Sequence, residues 1–203
     1  MNSQSIASNL PGYTYGGPEV GRSSVSVQEF ENLKITAGFT QEDEGWLRLA
    51  GEVLAGQTAR IVEHWRSRII AGIPHLARHS RATEGDALPG YLTRTNRRFE
   101  QWILDTCLRP YNQEWLDYQN EIALRHTSVK KNRTDGVDST SFVPFRDVLT
   151  FIPVMNATLK PYLGARGHSA ELVNKMHGAW VKAMQIQMAL WAKVYMVQAP
   201  GEW

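Results

Sequence analysis

The apolar residues of this chain recur every three or four positions in long runs, and no stretch alternates apolar and polar with period two. That spacing puts them on one face of a helix, whereas a half-buried strand needs strict alternation. The longest run is the last. From Ser169 to Gln198, residues such as Leu172, Met176, Ala179, Ala183, Ile186 and Leu190 make one broad apolar side. Ser169, following Gly164 and Gly167, is suited to cap that helix. The same period predicts helices from Val27 to Ile35, from Thr40 to Ile70 with a break near Gly56, from Gly90 to Cys107, from Asn112 to Val129 and from Phe142 to Leu163. Thr40 with Asp43 three residues on has the form of a capping box. Gly72, Pro74 and Pro110 are stops, and Arg81 to Pro89 and Gly136 to Ser141 read as loops. The expectation is an all-α chain of seven or eight helices. With 203 residues and no repeat or linker, it forms one domain over about 26–200.

Residues 1–25 differ from the rest. Pro11-Gly12, Gly16-Gly17-Pro18 and Gly21 punctuate them as irregular chain, yet Tyr13 and Tyr15 sit among them. Disordered tails are poor in aromatics, so this extension is expected to pack on the body.

Charge narrows the function classes. Lys and Arg number 22 against 20 Asp and Glu, for a net charge of +2, which gives no footprint for nucleic acid. The one basic cluster, Lys130-Lys131-Asn132-Arg133, reads as the cationic last turn of a helix. No window of about 18 apolar residues is present to cross a bilayer, and no leader-like apolar segment opens the chain. Cys107 stands alone, so no internal disulfide is possible. A cytoplasmic protein with neither nucleic-acid nor membrane partners is expected.

Six histidines are candidates for chemistry. His64 and His177 adjoin apolar stripes, and His168 lies in a capping turn. His75 and His79 are four apart, but no third metal ligand stands near them and a surface or packing role is preferred. His126 differs by its face. Trp115, Tyr118, Gln119, Ile122 and His126 share one side of their helix through steps of three and four. Glu114, Asn120, Glu121 and Arg125 occupy the other. An inward neutral imidazole near a helix end can ligate haem iron. Periodicity alone favours a hydrogen-bonded core histidine, because histidine is often partly buried without binding anything.

Several segments in order resemble one family. These are Pro11-Gly12-Tyr13-Thr14-Tyr15-Gly16, Phe39-Thr40-Gln41-Glu42-Asp43-Glu44, Arg98-Phe99-Glu100-Gln101-Trp102-Ile103, Glu114-Trp115-Leu116-Asp117-Tyr118-Gln119, Leu124-Arg125-His126 and Ala157-Thr158-Leu159-Lys160-Pro161. Together they resemble the protoglobins, single-domain globins with an N-terminal extension and an extra N-terminal helix. The resemblance implies a globin fold, haem b as cofactor and His126 as its proximal iron ligand. It implies a distal side with Trp65 and Phe99, and pocket positions at Phe151 and Met155. Ile70, Ile103, Tyr118, Ile122 and Val148 complete the expected haem contacts. It also implies that the extension folds over the haem edge. One departure stands out. The family carries Trp-Tyr on the distal side, where the hydroxyl hydrogen-bonds bound oxygen, and this chain reads Trp65-Arg66. The following stretch, Ser67 to Pro74, is one residue longer than the family pattern, so the helix phase shifts here. An inward Arg66 needs a partner such as a propionate or an anion. An outward Arg66 needs only solvent.

Three functions follow from the resemblance. The first is reversible binding of the small gases O2, CO or NO at the open face of the iron. The second is haem redox chemistry on peroxide, nitrite or NO, with an inward Arg66 favouring anions. The third is gas sensing as a homodimer joined through the last two helices, whose apolar positions exceed one stripe. The haem-free alternative is a helical interaction module with His126 in its core.

Overall fold

The protein is seen here as a computed structural model describing residues 10–203. Residues 1–9 of the extension lie outside the described residues. Eight α-helices are present among the described residues: α1 (Val27–Thr36), α2 (Gln41–Leu54), α3 (Thr58–Glu63), α4 (Pro74–Ala77), α5 (Pro89–Leu108), α6 (Gln113–Leu124), α7 (Phe145–Leu163) and α8 (Ala170–Gln198). No named strand occurs among them, only isolated bridges such as Arg81 with Ala87.

Local chemistry sets the helix starts. The Thr40 hydroxyl accepts from the Asp43 amide while the Asp43 carboxylate accepts from the Thr40 amide, closing the capping box at α2. Ser169 caps α8 by accepting from the Leu172 amide. Pro89 occupies the first turn of α5, where its missing N–H is no loss. α7 starts at Phe145 rather than Phe142, because Pro144 is its N-cap.

Two helices end otherwise than periodicity suggests. The helix after α3 does not stay α-helical. His64–Ile69 forms a π turn, followed by a 3-10 turn at Ile70–Gly72. α6 stops at Leu124 instead of Val129. The His126 amide bonds the Ala123 carbonyl at 2.9 Å, a tighter i to i−3 link. The Thr127 hydroxyl donates to the Leu124 carbonyl at 2.8 Å, taking an acceptor that a further helical turn would use. The Lys130–Arg133 cluster therefore lies in turns beyond the helix, not in its last turn. Lys131 is buried there.

α8 is the central rod, with α2, α6 and α7 packed along it, while α5 crosses α2 and α3. α2 meets α5 at Gly51, where an added Cβ would stand 2.9 Å from the Cys107 Cβ, so only glycine permits that approach. Four indole N–H groups stitch the crossings. Trp65 donates to Thr158 at 2.8 Å, Trp102 to Gln187 at 2.8 Å, Trp180 to Asn156 at 3.0 Å and Trp191 to Gln119 at 3.0 Å. Each buried donor is thereby satisfied, which fixes the register of the helices involved. No helix among the described residues is long and apolar enough to cross a membrane.

Candidate functional site

The π turn, α5, the end of α6 and α7 line a half-open cavity of about 250 Å³. One water molecule needs roughly 10–15 Å³ on this scale, so the space is no packing fault. The structure brings nine of the eleven expected site residues to its wall. Arg66 and Ile70 come from the turns after α3, Phe99 from α5, and Tyr118 and Ile122 from α6. His126 follows α6, and Val148, Phe151 and Met155 come from α7.

Trp65 and Ile103 lie elsewhere. Trp65 is fully buried and turned toward Thr158 on α7, touching the site through its ring, tilted against Phe99 with centroids 5.2 Å apart. Neighbouring residues on a helix point about 100° apart, so Trp65 and Arg66 cannot share one direction. On α5 the wall stripe runs Tyr91, Thr95, Arg98, Trp102 and Asp105 in steps of four and three. Phe99 sits at its flank, and Ile103, one turn on, falls past the edge into the closed core.

His126 is held from three sides. Its ring Nδ1 lies 2.9 Å from the Ile122 carbonyl, which can only accept, so Nδ1 carries the proton. Its own carbonyl accepts from the Val143 amide at 2.7 Å. Its ring packs against Trp191 with centroids 5.1 Å apart. Nε2 is then the unprotonated nitrogen, and it has no hydrogen-bond partner among the described residues. Burial pushes the imidazole pKa down to about 4, outweighing the Ile122 bond, so the ring is neutral near pH 7.

The polar side of the wall is sorted into paired and unpaired cations. Arg98 and Arg94 converge on Asp135, and Arg125 and Lys130 converge on the buried Glu121. On the face of α6 opposite His126, Glu114 is exposed but Glu121 is buried, 3 % exposed, beneath its two cations. Arg66 and Lys131 have no carboxylate among the described residues. Lys131 gives hydrogen bonds to the Thr140 carbonyl at 2.7 Å, Ser139 at 3.2 Å and Asn132 at 3.4 Å. Arg66 turns inward, its guanidinium 5.4 Å above the Phe99 ring and one Nη at 3.3 Å from the Ser80 hydroxyl. His79 is buried behind them, with Nδ1 at 2.8 Å from Thr140 and Nε2 at 3.7 Å from Asp147. His75 is exposed.

The N-terminal segment closes one side. Leu10 to Tyr13 is a turn with Gly12 at φ +74°, and a Cβ there would also meet the Arg98 guanidinium at 2.6 Å. The turn offers the Pro11 carbonyl to Arg98 at 2.8 Å and the Gly12 carbonyl to Arg125. Tyr13 then donates to the buried Asp105 at 2.7 Å, and the rings of Tyr13 and Tyr15 meet Tyr118 edge-on at 5.4 and 5.1 Å.

Sequence reasoning missed Trp102, Trp191, Lys131 and Asp135 on the wall. Trp191 belonged to the recognised stripe of α8, and Trp102 to a resembling segment. Nothing in the spacing separates a cavity wall from a closed core.

A helical fold that lines an aromatic-walled cavity beside a neutral imidazole anchored to the backbone has the architecture of the globins. The sequence model of the Protoglobin family matches residues 26–199, and the chain belongs to that family of haem globins that bind gaseous ligands. Among curated proteins, no relative matches the chain. The residues present fit a haem. Nε2 of His126 supplies a free lone pair, Phe99, Phe151 and Trp102 supply flat apolar walls, and the buried Arg66 Nε lacks a partner and suits a negative group.

Proposed function

We propose that the protein binds haem b through His126 Nε2 and reversibly takes up O2, CO or NO at the face of the iron left open. The observation that carries this reading is the placement of His126: on the cavity wall, with Nδ1 bound to the Ile122 carbonyl and Nε2 without a hydrogen-bond partner among the described residues. A histidine ligand that donates its other N–H to a backbone carbonyl has its tautomer and orientation fixed and its basicity raised. Held by His126 as its one protein ligand, the haem would supply an iron with affinity for small diatomic ligands. Ile122, Val148, Phe151 and Met155 give an apolar surround that favours uncharged ligands. Trp191 holds the ring plane of His126, and Gln119 holds Trp191. In this reading residues 1–25 form an extension whose Tyr13 and Pro11-Gly12 turn cover the haem edge, and residues 26–200 form the globin domain. The reading also includes a cytoplasmic setting and a homodimer through α7 and α8, where Met196 and Val197 are exposed. The full chain purified with haem should show a Soret band that shifts with CO. His126→Gly should lose haem or bind it only when imidazole is added back. Full haem occupancy with an unchanged spectrum in that variant overturns the assignment.

A further inference from the structure

Four cations stand on the cavity wall, and they differ in what they have left to give. Arg98 and Arg125 are paired with carboxylates, sharing Asp135 with Arg94 and Glu121 with Lys130. Lys131 has three protons and three oxygen acceptors, so its donors are spent. Arg66 has five N–H donors and one hydroxyl partner, Ser80. Its Nε is shut off from solvent with no acceptor at all. A guanidinium with its Nε desolvated and no counter-charge is costly. The stacking on Phe99 orients the guanidinium without satisfying its donors. No carboxylate pairs with Arg66 among the described residues, although Asp147 stands on the same wall 3.7 Å from His79 Nε2, and the space beside Arg66 is the cavity that His126 also lines.

We propose that Arg66 makes this cavity an anion-binding site, in which a small anion of the azide, nitrite or hydroperoxide class is held by the guanidinium. The inference rests on the haem reading above, with the anion entering beside the iron. A planar fork of donors suits such anions better than a point charge, and hydrogen bonds between charged groups are roughly twice as strong as neutral ones. Arg66 thus acts as a specificity-determining residue: it sets the charge of the ligand, whereas His126 sets its attachment.

The test compares an anionic with a neutral ligand on the full-length ferric haem protein. Azide and imidazole are titrated separately and read by the Soret shift in the parent, Arg66→Leu, Arg66→Gln and Arg66→Lys. Azide affinity is expected to fall about tenfold or more in the Leu and Gln variants and to recover in part with Lys. Imidazole affinity is expected to hold or rise. Gln keeps donors and polarity, so it serves where Leu fails to fold. Equal azide affinity in parent and Gln variant, or equal losses for azide and imidazole, overturns the inference while leaving haem binding intact. Loss of the haem itself from both neutral variants overturns it too, and assigns the guanidinium to a propionate instead. A parent with no Soret band fails the haem reading, and the anion site falls with it.

Discussion

Asp135→Asn should loosen the side of the cavity that the N-terminal segment covers. The carboxylate accepts from Arg98 at 2.5 and 3.1 Å and from Arg94 at 2.9 Å. Its side chain is 4 % exposed, that of Arg98 13 % and that of Arg94 36 %. Burial raises its pKa, but the bonds to the two arginines outweigh this and hold it below the ordinary carboxylate range. Asparagine keeps the shape, removes the charge and turns an N–H toward donors that need acceptors. Removing one partner of a buried pair typically costs about 3–5 kcal/mol. Arg94 is exposed enough that its share is largely screened, which leaves about 2–3 kcal/mol, most of it through Arg98. For a domain of this size each kcal/mol moves Tm by about 2–4 °C, so a fall of roughly 5–10 °C is expected. Arg98 also holds the Pro11 carbonyl at 2.8 Å, so the variant should lose the N-terminal segment to protease sooner than the parent. Circular dichroism melts measure the first effect and limited proteolysis the second. A double-mutant cycle with Arg98→Met should show coupling above about 1 kcal/mol. A Tm within 2 °C of the parent, or a coupling near zero, refutes the idea that this pair latches the segment.

Two further perturbations test other parts of the structure. Gly51→Ala should lower stability by about 1–2 kcal/mol, because overpacking against Cys107 and Leu108 exceeds the gain in helix propensity; a raised urea midpoint would contradict the close contact of α2 and α5. Burial of His79 holds its pKa down to about 4, with Arg78 and Lys131 adding to the effect, against about 6.5 in the unfolded chain. Below pH 6.5 the unfolded chain therefore takes up a proton that the fold refuses, and stability falls as the pH drops from 6.5 to 4, by about 3 kcal/mol in all. Urea unfolding of parent and His79→Gln at pH 7 and 4.5 checks this; equal pH sensitivity in the two proteins would remove His79 from the account.

How far the sequence reaches depends on which physical effect carries the signal. Capping at Thr40 and Ser169 is local, and both helices start where those residues predict. The apolar stripes are local too, and they identify α2, α5, α7 and α8. The end of α6 is not local in that sense. It is set in part by Arg125 reaching the N-terminal segment, a contact that no window around His126 contains, and in part by the Thr127 hydroxyl on the Leu124 carbonyl, a local bond that apolar periodicity does not register. The site divides the same way. Tyr118, Ile122 and His126 share a periodic face and reach one wall together. Lys131 and Asp135 lie in turns without period, and their burial follows from loop partners far along the chain, such as Ser139, Thr140 and Arg98.

The π turn before Pro74 joins these two levels. An α-helix absorbs one added residue by widening a turn, so that the hydrogen bonds span five residues instead of four. The π turn is found at His64–Ile69, overlapping the start of the stretch Ser67 to Pro74 that is expected to be longer than the family pattern, and the Ile70 amide bonds the carbonyls of both Trp65 and Arg66. Widening changes the direction in which each side chain of the turn leaves the axis. Trp65 then points to Thr158 and the closed core, and Arg66 points to the cavity. Length and composition therefore act together at this place. Within a regular turn, Trp and Arg in succession would leave open which of them faces inward. With the turn widened, a charged donor takes the position, and the wall facing Phe99 gains a polarity that apolar periodicity could not reveal.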